Sequence, residues 1–252
     1  MPSRIEFSGY DYDPSLYNSE LIRGEDLEPR LYDLNAEILS RIPPDGRLLD
    51  VGCGSALKLL PLSGKIDQII AIDYNPRVIT EALRNVSFLV PPNIFVLVGS
   101  GNHLPLDDCS VDMVTYMLCP HNSIEARRVL KPGGYVIAER IGEQDKFEIK
   151  SFFTNHDGSP RGYRSNLQNG GIAQTHLSEF TDTGFKNVEC REMSWKTKYT
   201  KDGLWMLLCG TPTIDQFNTE ADRETFEDAF SKLSKQDCVV LTQHRVLVIA
   251  QK

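Results

Sequence analysis

The regular alternation of apolar strand-like runs with helical segments between residues 47 and 141 constrains the fold more than any other feature of the sequence. It begins with "RLLDVG" and continues through the apolar runs "QIIAID", "NIFVLVGS", "VDMVTYML" and "YVIAERI". Helical segments separate these runs; one of them starts at Asn75, a good helix cap, followed by Pro76 at the first helical position. Alternating strands and helices predict an α/β fold with a parallel, doubly wound sheet whose strands are buried on both faces.

A loop of small residues follows the first predicted strand, with Gly52, Gly54 and Ala56 at every second position. A turn of this kind presents backbone N–H groups to a ligand at the carboxyl edge of the sheet. A dinucleotide-binding loop requires a third glycine where Leu57 stands, and Asp50 beside the loop suits an ammonium group better than a pyrophosphate. The loop therefore argues against a nicotinamide-dependent oxidoreductase.

Asp73 ends the second predicted strand, 23 residues after Asp50. A carboxylate at this position can accept hydrogen bonds from both hydroxyl groups of a ribose. The alternative is that Asp73 caps the next helix, but Asn75 followed by Pro76 is the better cap. We therefore predict a ribose-binding role for Asp73.

In this order and spacing the chain resembles the class I S-adenosylmethionine-dependent methyltransferases of the type 11 kind. Four stretches between about residues 45 and 141 carry the resemblance: "LLDVGCGSA", "IIAIDYNPRVI", "VLVGSGNHLPLDDCSVDMV" and "RVLKPGGYVIAERI". The resemblance implies a Rossmann-like sheet of seven strands in the order 3-2-1-4-5-7-6, with "HRVLVIAQK" as an antiparallel last strand. It also implies S-adenosyl-L-methionine as the cofactor and methyl transfer (EC 2.1.1.-) as the reaction.

The same resemblance implies a set of cofactor-binding residues. Asp50 and the loop glycines would hold the methionine part, Asp73 the ribose, and the segment after the third strand the adenine. The full set is Asp50, Gly52, Gly54, Asp73, Tyr74, Ser100, Gly101 and Asn102.

Two positions depart from the family pattern. Ala56 replaces the third loop glycine, and its extra methyl group is tolerable if φ there stays negative. Ser100 stands where family members reading G-D-A-E-x-L-P carry an Asp that contacts the adenine amino group. A serine still accepts a hydrogen bond but has no charge, and Asn102 is the second candidate for this contact. We expect the site to survive both changes.

The activated methyl group belongs to the cofactor, so the protein must align the acceptor, exclude water and, for some acceptors, remove a proton. His121, in "YMLCPHNS" after the fourth strand, is the candidate catalytic base because imidazole titrates near neutral pH. The alternative is a packing or helix-capping histidine. The six cysteines form no C-x-x-C pair, and we predict no metal site.

The sequence predicts one methyltransferase domain over residues 27–252, preceded by a tyrosine-rich lid segment over residues 1–26. About 40 residues separate the last two predicted strands, too many for a hairpin. We therefore expect a small helical cap, built from insertions at about residues 142–170 and 200–236.

The net charge and the composition of the chain indicate which kinds of partner it can bind. The net charge of −8, from 27 basic and 35 acidic residues, disfavours a nucleic-acid partner and favours a small-molecule acceptor methylated at O, N or C. The N-terminus has no apolar signal run and the longest apolar runs are of strand length, so we expect a cytoplasmic protein without a membrane partner. Oligomeric state is left open. The alternatives are an RNA or tRNA methyltransferase and a non-catalytic S-adenosylmethionine-binding scaffold or regulatory protein.

Overall fold

A single mixed sheet of eight strands forms the centre of the computed structural model, which describes residues 20–89, 93–162 and 170–252. The strands are β1 (Glu25–Asp26), β2 (Arg47–Val51), β3 (Gln68–Asp73), β4 (Ile94–Val98), β5 (Val111–Met117), β6 (Leu130–Ile141), β7 (Lys186–Thr200) and β8 (Cys238–Gln251). Most of the predicted lid segment, residues 1–19, lies outside the described residues.

The strand order is β1-β7-β8-β6-β5-β2-β3-β4. Strands β2 to β6 pair in parallel, whereas β8 runs antiparallel to both β6 and β7. Apart from the two-residue edge strand β1, this is the predicted order with its antiparallel last strand, so the doubly wound α/β fold is confirmed. The direction of winding changes at β2, which pairs with both β3 and β5. Ligands of open α/β sheets bind at such a point.

Helices cover both faces of the sheet. They are α1 (Leu34–Leu39), α2 (Pro76–Val86), α3 (Ser123–Val129), α4 (Phe147–Lys150), α5 (Gly171–Asp182), α6 (Lys201–Gly210) and α7 (Arg223–Leu233). Because side chains alternate along a strand, Leu48 of β2 packs into the cluster under α1 and α2, and Leu49 into the cluster under α3 and α5. Both leucines are fully buried, as expected for a parallel strand covered on two faces.

Local signals decide where helices start. The side chain of Asn75 accepts a hydrogen bond from the Arg77 N–H at 3.0 Å, so the predicted cap of α2 is confirmed. The predicted helix after the glycine loop is a 3-10 helix, Leu57–Leu62, since Pro61 within it has no N–H to donate.

A third buried cluster lies beyond the ends of β7 and β8, where the predicted cap segments contain α4, α6 and α7. Its members include Phe153, Leu204, Phe226, Val239 and Leu241. Residues 20–26 join this region, because the 3-10 helix Glu20–Arg23 contacts α6 and β1 pairs with β7.

A buried ionic cluster separates this third cluster from the main core along β8. The Asp145 carboxylate, 2% exposed, forms ion pairs with Arg245 and with Lys146, whose Nζ lies 3.0 Å from Oδ2. Lys150 Nζ lies 3.9 Å from the same oxygen. Burial alone would raise the pKa of Asp145, but the three cations outweigh it and hold that pKa below its usual range.

Within the described ranges, none of the helices combines the length and apolar character needed to cross a membrane.

Replacing Asp145 with alanine leaves three buried cations without their shared carboxylate, and we expect a loss of about 3–5 kcal/mol in the free energy of unfolding. The exposed pair of Asp228 and Lys232, with a carboxylate–ammonium distance of 2.8 Å, provides the control. Asp228→Ala should cost less than about 1 kcal/mol. Urea unfolding of both variants measures the difference, and equal losses would contradict a stabilising role for the buried cluster.

The lowered pKa of Asp145 also fixes the sign of one pH effect. Its contribution to stability is complete above the unfolded pKa of about 4 and is lost as the pH falls through the lower folded value. The wild-type advantage over Asp145→Ala should therefore shrink only in acid.

Candidate functional site

The glycine loop leaves β2 in a turn that only small residues permit. The N–H groups of Gly52 and Cys53 both donate to the Ile72 carbonyl, at 2.8 and 3.0 Å, which ties the loop to the end of β3. Gly52 has φ +69°, and a Cβ placed on it would lie 2.6 Å from the Cβ of Cys119. A side chain at position 52 is therefore excluded by both backbone conformation and space.

Ala56 does not meet the condition of a negative φ. Its φ is +60°, in the left-handed region. A non-glycine residue there costs about 1–2 kcal/mol. Its methyl group is fully buried in the core beneath the loop, which returns about 0.8 kcal/mol. The loop thus keeps a glycine-type backbone with an alanine in it.

Asp50 is fully buried at the carboxyl end of β2. Its Oδ1 accepts a hydrogen bond from the Thr115 hydroxyl at 2.7 Å, whereas Oδ2 has no donor among the described residues. The Lys58 ammonium lies 3.7 Å from Oδ2. Burial raises the pKa of Asp50, while Lys58 and Thr115 favour its ionised form. The carboxylate thus has one oxygen available to a positively charged donor.

Asp73 lies at the end of β3, 6% exposed. Its Oδ2 accepts from the Gly54 N–H at 3.1 Å and its Oδ1 from the Asn75 N–H at 3.0 Å. One carboxylate therefore fixes the glycine loop and the approach to α2 together. The N-cap of α2 is Asn75 and not Asp73, and the ribose-binding role of Asp73 stays a prediction.

The segment after β4 lies beside these loops. The Gly99 N–H donates to the Asp73 carbonyl at 2.9 Å, and a Cβ on Gly101 would lie 3.0 Å from Val51. The Ser100 hydroxyl accepts from the Asn102 N–H at 3.2 Å. Ser100, Asn102 and the ring of Tyr74, 45% exposed, face solvent. The structure thus brings the predicted cofactor-binding residues to one edge of β2, β3 and β4.

His121 is placed differently. Its side chain is 5% exposed and stacks on Phe180 of α5, with ring centroids 5.2 Å apart. Nε2 lies 3.0 Å from Oε2 of Glu179, and the buried Nδ1 has no partner among the described residues. Burial lowers the pKa of His121, which keeps the imidazole neutral near pH 7. The described contacts of the ring are with α5 and Tyr116 and not with the glycine loop.

Cys119 packs against the glycine loop. Its thiol donates to the Val51 carbonyl at 2.9 Å, and its own carbonyl accepts a hydrogen bond from the Arg140 guanidinium. Burial raises the pKa of Cys119 to about 12, so the thiolate needed for a nucleophile is scarce. Cys119 is a wall residue of the loop.

Two groups of side chains in the described part of the chain have donor atoms close enough to hold a metal ion: His121, His176 and Glu179, and Glu143, Glu192 and His244. In the first, Glu179 accepts from both imidazoles, at 3.0 and 3.4 Å. In the second, the His244 Nδ1 already accepts the Gln144 N–H at 3.1 Å. These hydrogen bonds hold the side chains of each group together, although His121 Nδ1 and Glu143 Oε2 have no hydrogen-bond partner among the described residues.

Sequence reasoning missed two residues of this site. Thr115 was available as the one hydroxyl in the apolar run "VDMVTYML", although its partner, Asp50, is 65 residues away. Lys58 gave no signal, because a lysine in "LKLLPL" reads as a solvent-facing residue of a short helix.

Comparison with known proteins agrees with the family resemblance seen in the sequence. Residues 49–138 match the methyltransferase domain family. The chain is 26% identical over 153 residues to a malonyl-[acyl-carrier protein] O-methyltransferase from Xylella fastidiosa, an alignment covering 57% of this chain and 50% of that protein. It is 29% identical over 109 residues to a demethylmenaquinone methyltransferase from Bacillus cereus, covering 38% and 45%. The chain thus spans about half the length of these relatives.

The fold also matches solved structures. The YcgJ protein from Bacillus subtilis superposes with a TM-score of 0.61 at 16% identity, covering 86% of this chain and 97% of that one. At this identity the likeness concerns the fold alone.

Thr115→Val removes the hydroxyl that Asp50 accepts from, and we expect a loss of about 1–3 kcal/mol in unfolding free energy because a buried acceptor loses its donor. Thr115→Ser keeps the hydroxyl and loses one buried methyl, about 0.8 kcal/mol. Urea unfolding at neutral pH compares the two variants. A valine variant as stable as the serine variant would show that this hydrogen bond does not stabilise the buried carboxylate.

Proposed function

We propose that this chain, whose residues 49–138 match the methyltransferase domain family, transfers a methyl group from S-adenosylmethionine to a small-molecule acceptor. The observation that carries the proposal is the buried Oδ2 of Asp50, which has no hydrogen-bond donor in the described chain and lies beside a glycine loop. An α-ammonium group is the donor that such an oxygen lacks.

The remaining predicted residues fit the same cofactor. Apart from the adjoining residues, no atom of the described part of the chain lies within 4 Å of a Cβ built on Gly54, so the backbone there would be open to a ligand on that side. Each Asp73 oxygen accepts one backbone N–H and has a further lone pair for a ribose hydroxyl. Tyr74 and the segment Ser100, Gly101 and Asn102 would form the adenine side of the site.

The cofactor supplies a methyl group on a sulfonium, a strong electrophile. The chain's contribution is position and charge: the rigid loop would hold the ligand beside Gly54, and Asp50 and Asp73 would supply negative charge next to it. Cys119 fills the space behind Gly52 and closes the loop from the side of β5.

His121 is the proposed base for acceptors that lose a proton. Glu179 holds its Nε2, so the lone pair for a proton would be that of Nδ1, and the lowered pKa keeps that nitrogen unprotonated. The imidazole ring is buried, so an acceptor can reach Nδ1 only if its binding opens a path to this nitrogen on the side of the ring that faces away from α5.

A small-molecule acceptor is supported by the relatives, whose names give a malonyl group on acyl-carrier protein and demethylmenaquinone as acceptors. The net charge of −8 opposes an RNA or tRNA acceptor. The left-handed Ala56 and the uncharged Ser100 favour the second candidate, a scaffold that binds the cofactor without transferring its methyl group. Cofactor binding without turnover on acyl-thioester, quinone and amine acceptors would support that candidate.

Asp73→Ala should weaken binding of S-adenosylmethionine and S-adenosylhomocysteine by about 10- to 100-fold, since it removes a charged acceptor for the ribose and releases the glycine loop. Calorimetric titration measures both ligands. Asp73→Asn retains one acceptor oxygen and should lose less, and the exposed Asp67→Ala should bind as the wild type does. Wild-type protein that binds neither ligand would overturn the proposed function.

His121→Gln should lower kcat by about 10²- to 10⁴-fold and leave S-adenosylhomocysteine affinity unchanged, if an accepted substrate loses a proton. Because the pKa of His121 lies below its ordinary 6.5, the wild-type rate should fall only as the pH drops beneath that value. Glu179→Gln removes a contact that raises this pKa, so its acid limb should move to still lower pH. A pH–rate profile unchanged in both variants would exclude His121 as the base.

A further inference from the structure

The buried Asp50 carboxylate needs a positive charge even when no ligand is bound. It is fully buried, and the negative charge of Asp73 nearby disfavours its ionised form further. Thr115 supplies one neutral hydrogen bond to Oδ1. The positive charge at Oδ2 comes from Lys58, whose Nζ lies 3.7 Å away.

Lys58 reaches this position from the first turn of the 3-10 helix that follows the loop. Its Nζ also lies 3.5 Å from the Gly52 carbonyl oxygen. Both distances are at or beyond the limit of a strong charged hydrogen bond, and the side chain is 35% exposed. The ammonium is therefore held by electrostatic attraction and not by a short hydrogen bond. Because the side chain is partly exposed, it can move toward solvent.

Of the two acceptors that Lys58 approaches, Asp50 Oδ2 is the one that the proposed function assigns to the amino group of the cofactor, and the Gly52 carbonyl belongs to the same loop. We propose that Lys58 is an internal competitor: its ammonium occupies the amino-group position in the free protein and leaves when a ligand carrying an α-ammonium binds. The inference rests on the proposed function, because it takes the ligand to be S-adenosylmethionine or its product.

Such a competitor has two opposite effects. In the free protein it favours the ionised form of Asp50 and so opposes the burial that raises the pKa of this carboxyl group. During binding, the ligand must displace an existing ion pair, so its affinity is lower than the loop alone would give. Only ligands that bring an ammonium group into the loop meet this competition. A nucleoside that lacks the amino-acid part does not.

Lys58→Met should therefore raise the affinity for S-adenosylhomocysteine by about fivefold, the effect of one partly exposed ion pair. The affinity for 5′-methylthioadenosine, which has the adenosine and no amino acid, should stay within about twofold of wild type by the same scale. Lys65→Met, an exposed lysine just beyond the same helix, is the matched control and should change neither value. Calorimetric titration at constant ionic strength measures all six affinities.

A fall in S-adenosylhomocysteine affinity would overturn the inference and place Lys58 at the ligand's carboxylate instead. An unchanged affinity would also overturn it. Wild-type protein that binds neither nucleoside would overturn the proposed function itself, which separates the two failures.

Thermal unfolding gives a second readout. Without ligand, Lys58→Met should melt below wild type because Asp50 has lost its cation, and saturating S-adenosylhomocysteine should raise its melting temperature more than that of wild type. Lys58→Arg keeps the charge and should behave as wild type in both measurements. A methionine variant with an unaltered melting temperature and an unaltered ligand-induced shift would contradict the competition.

Discussion

The Asp73 carboxylate joins the two loops on which the site is built. One oxygen accepts the Gly54 N–H and the other the Asn75 N–H, so the glycine loop and the start of α2 are held at one strand end. The Ile72 carbonyl beside it accepts two further N–H groups from the loop. The tightly turned loop keeps its shape because three of these hydrogen bonds satisfy the N–H groups of Gly52, Cys53 and Gly54. The fully buried Asp50 carboxylate therefore lies beside a loop whose conformation is already fixed by hydrogen bonds.

Much of the fold was predictable because its signals are local. Apolar runs, the Asn75 cap and the spacing of Asp50 and Asp73 each lie within a few residues, and strand order followed from the family resemblance. The positive φ of Ala56 was not predictable, because the local sequence is equally compatible with a negative φ. The packing of the Ala56 methyl group against the rest of the protein selects between the two conformations. Thr115 and Lys58 were missed because their partner becomes visible only when β2 and β5 pair.

The last strand illustrates a different limit. "HRVLVIAQK" reads as an apolar strand with a polar start, yet His244 and Arg245 are as buried as the residues that follow them. Both side chains are paired with carboxylates from other elements: His244 with Glu143 and Glu192, and Arg245 with Asp145. This pairing offsets the cost of burying polar groups. Alternation along β8 therefore predicts on which face of the sheet each side chain lies. It does not predict that His244 and Arg245 are buried, because that depends on charged partners from other elements.

The length of β7 and β8 has a mechanical consequence. The ladder of β8 with β6 stops at Arg245, whereas its ladder with β7 continues to Cys238. The helices α4, α6 and α7 therefore pack on a two-stranded ribbon that extends beyond the parallel sheet, and the ion pairs of Asp145 lie at the base of this ribbon. Bending the ribbon away from the sheet would separate buried charges from their partners. The ribbon and the helices packed on it are thus held in place against the parallel sheet.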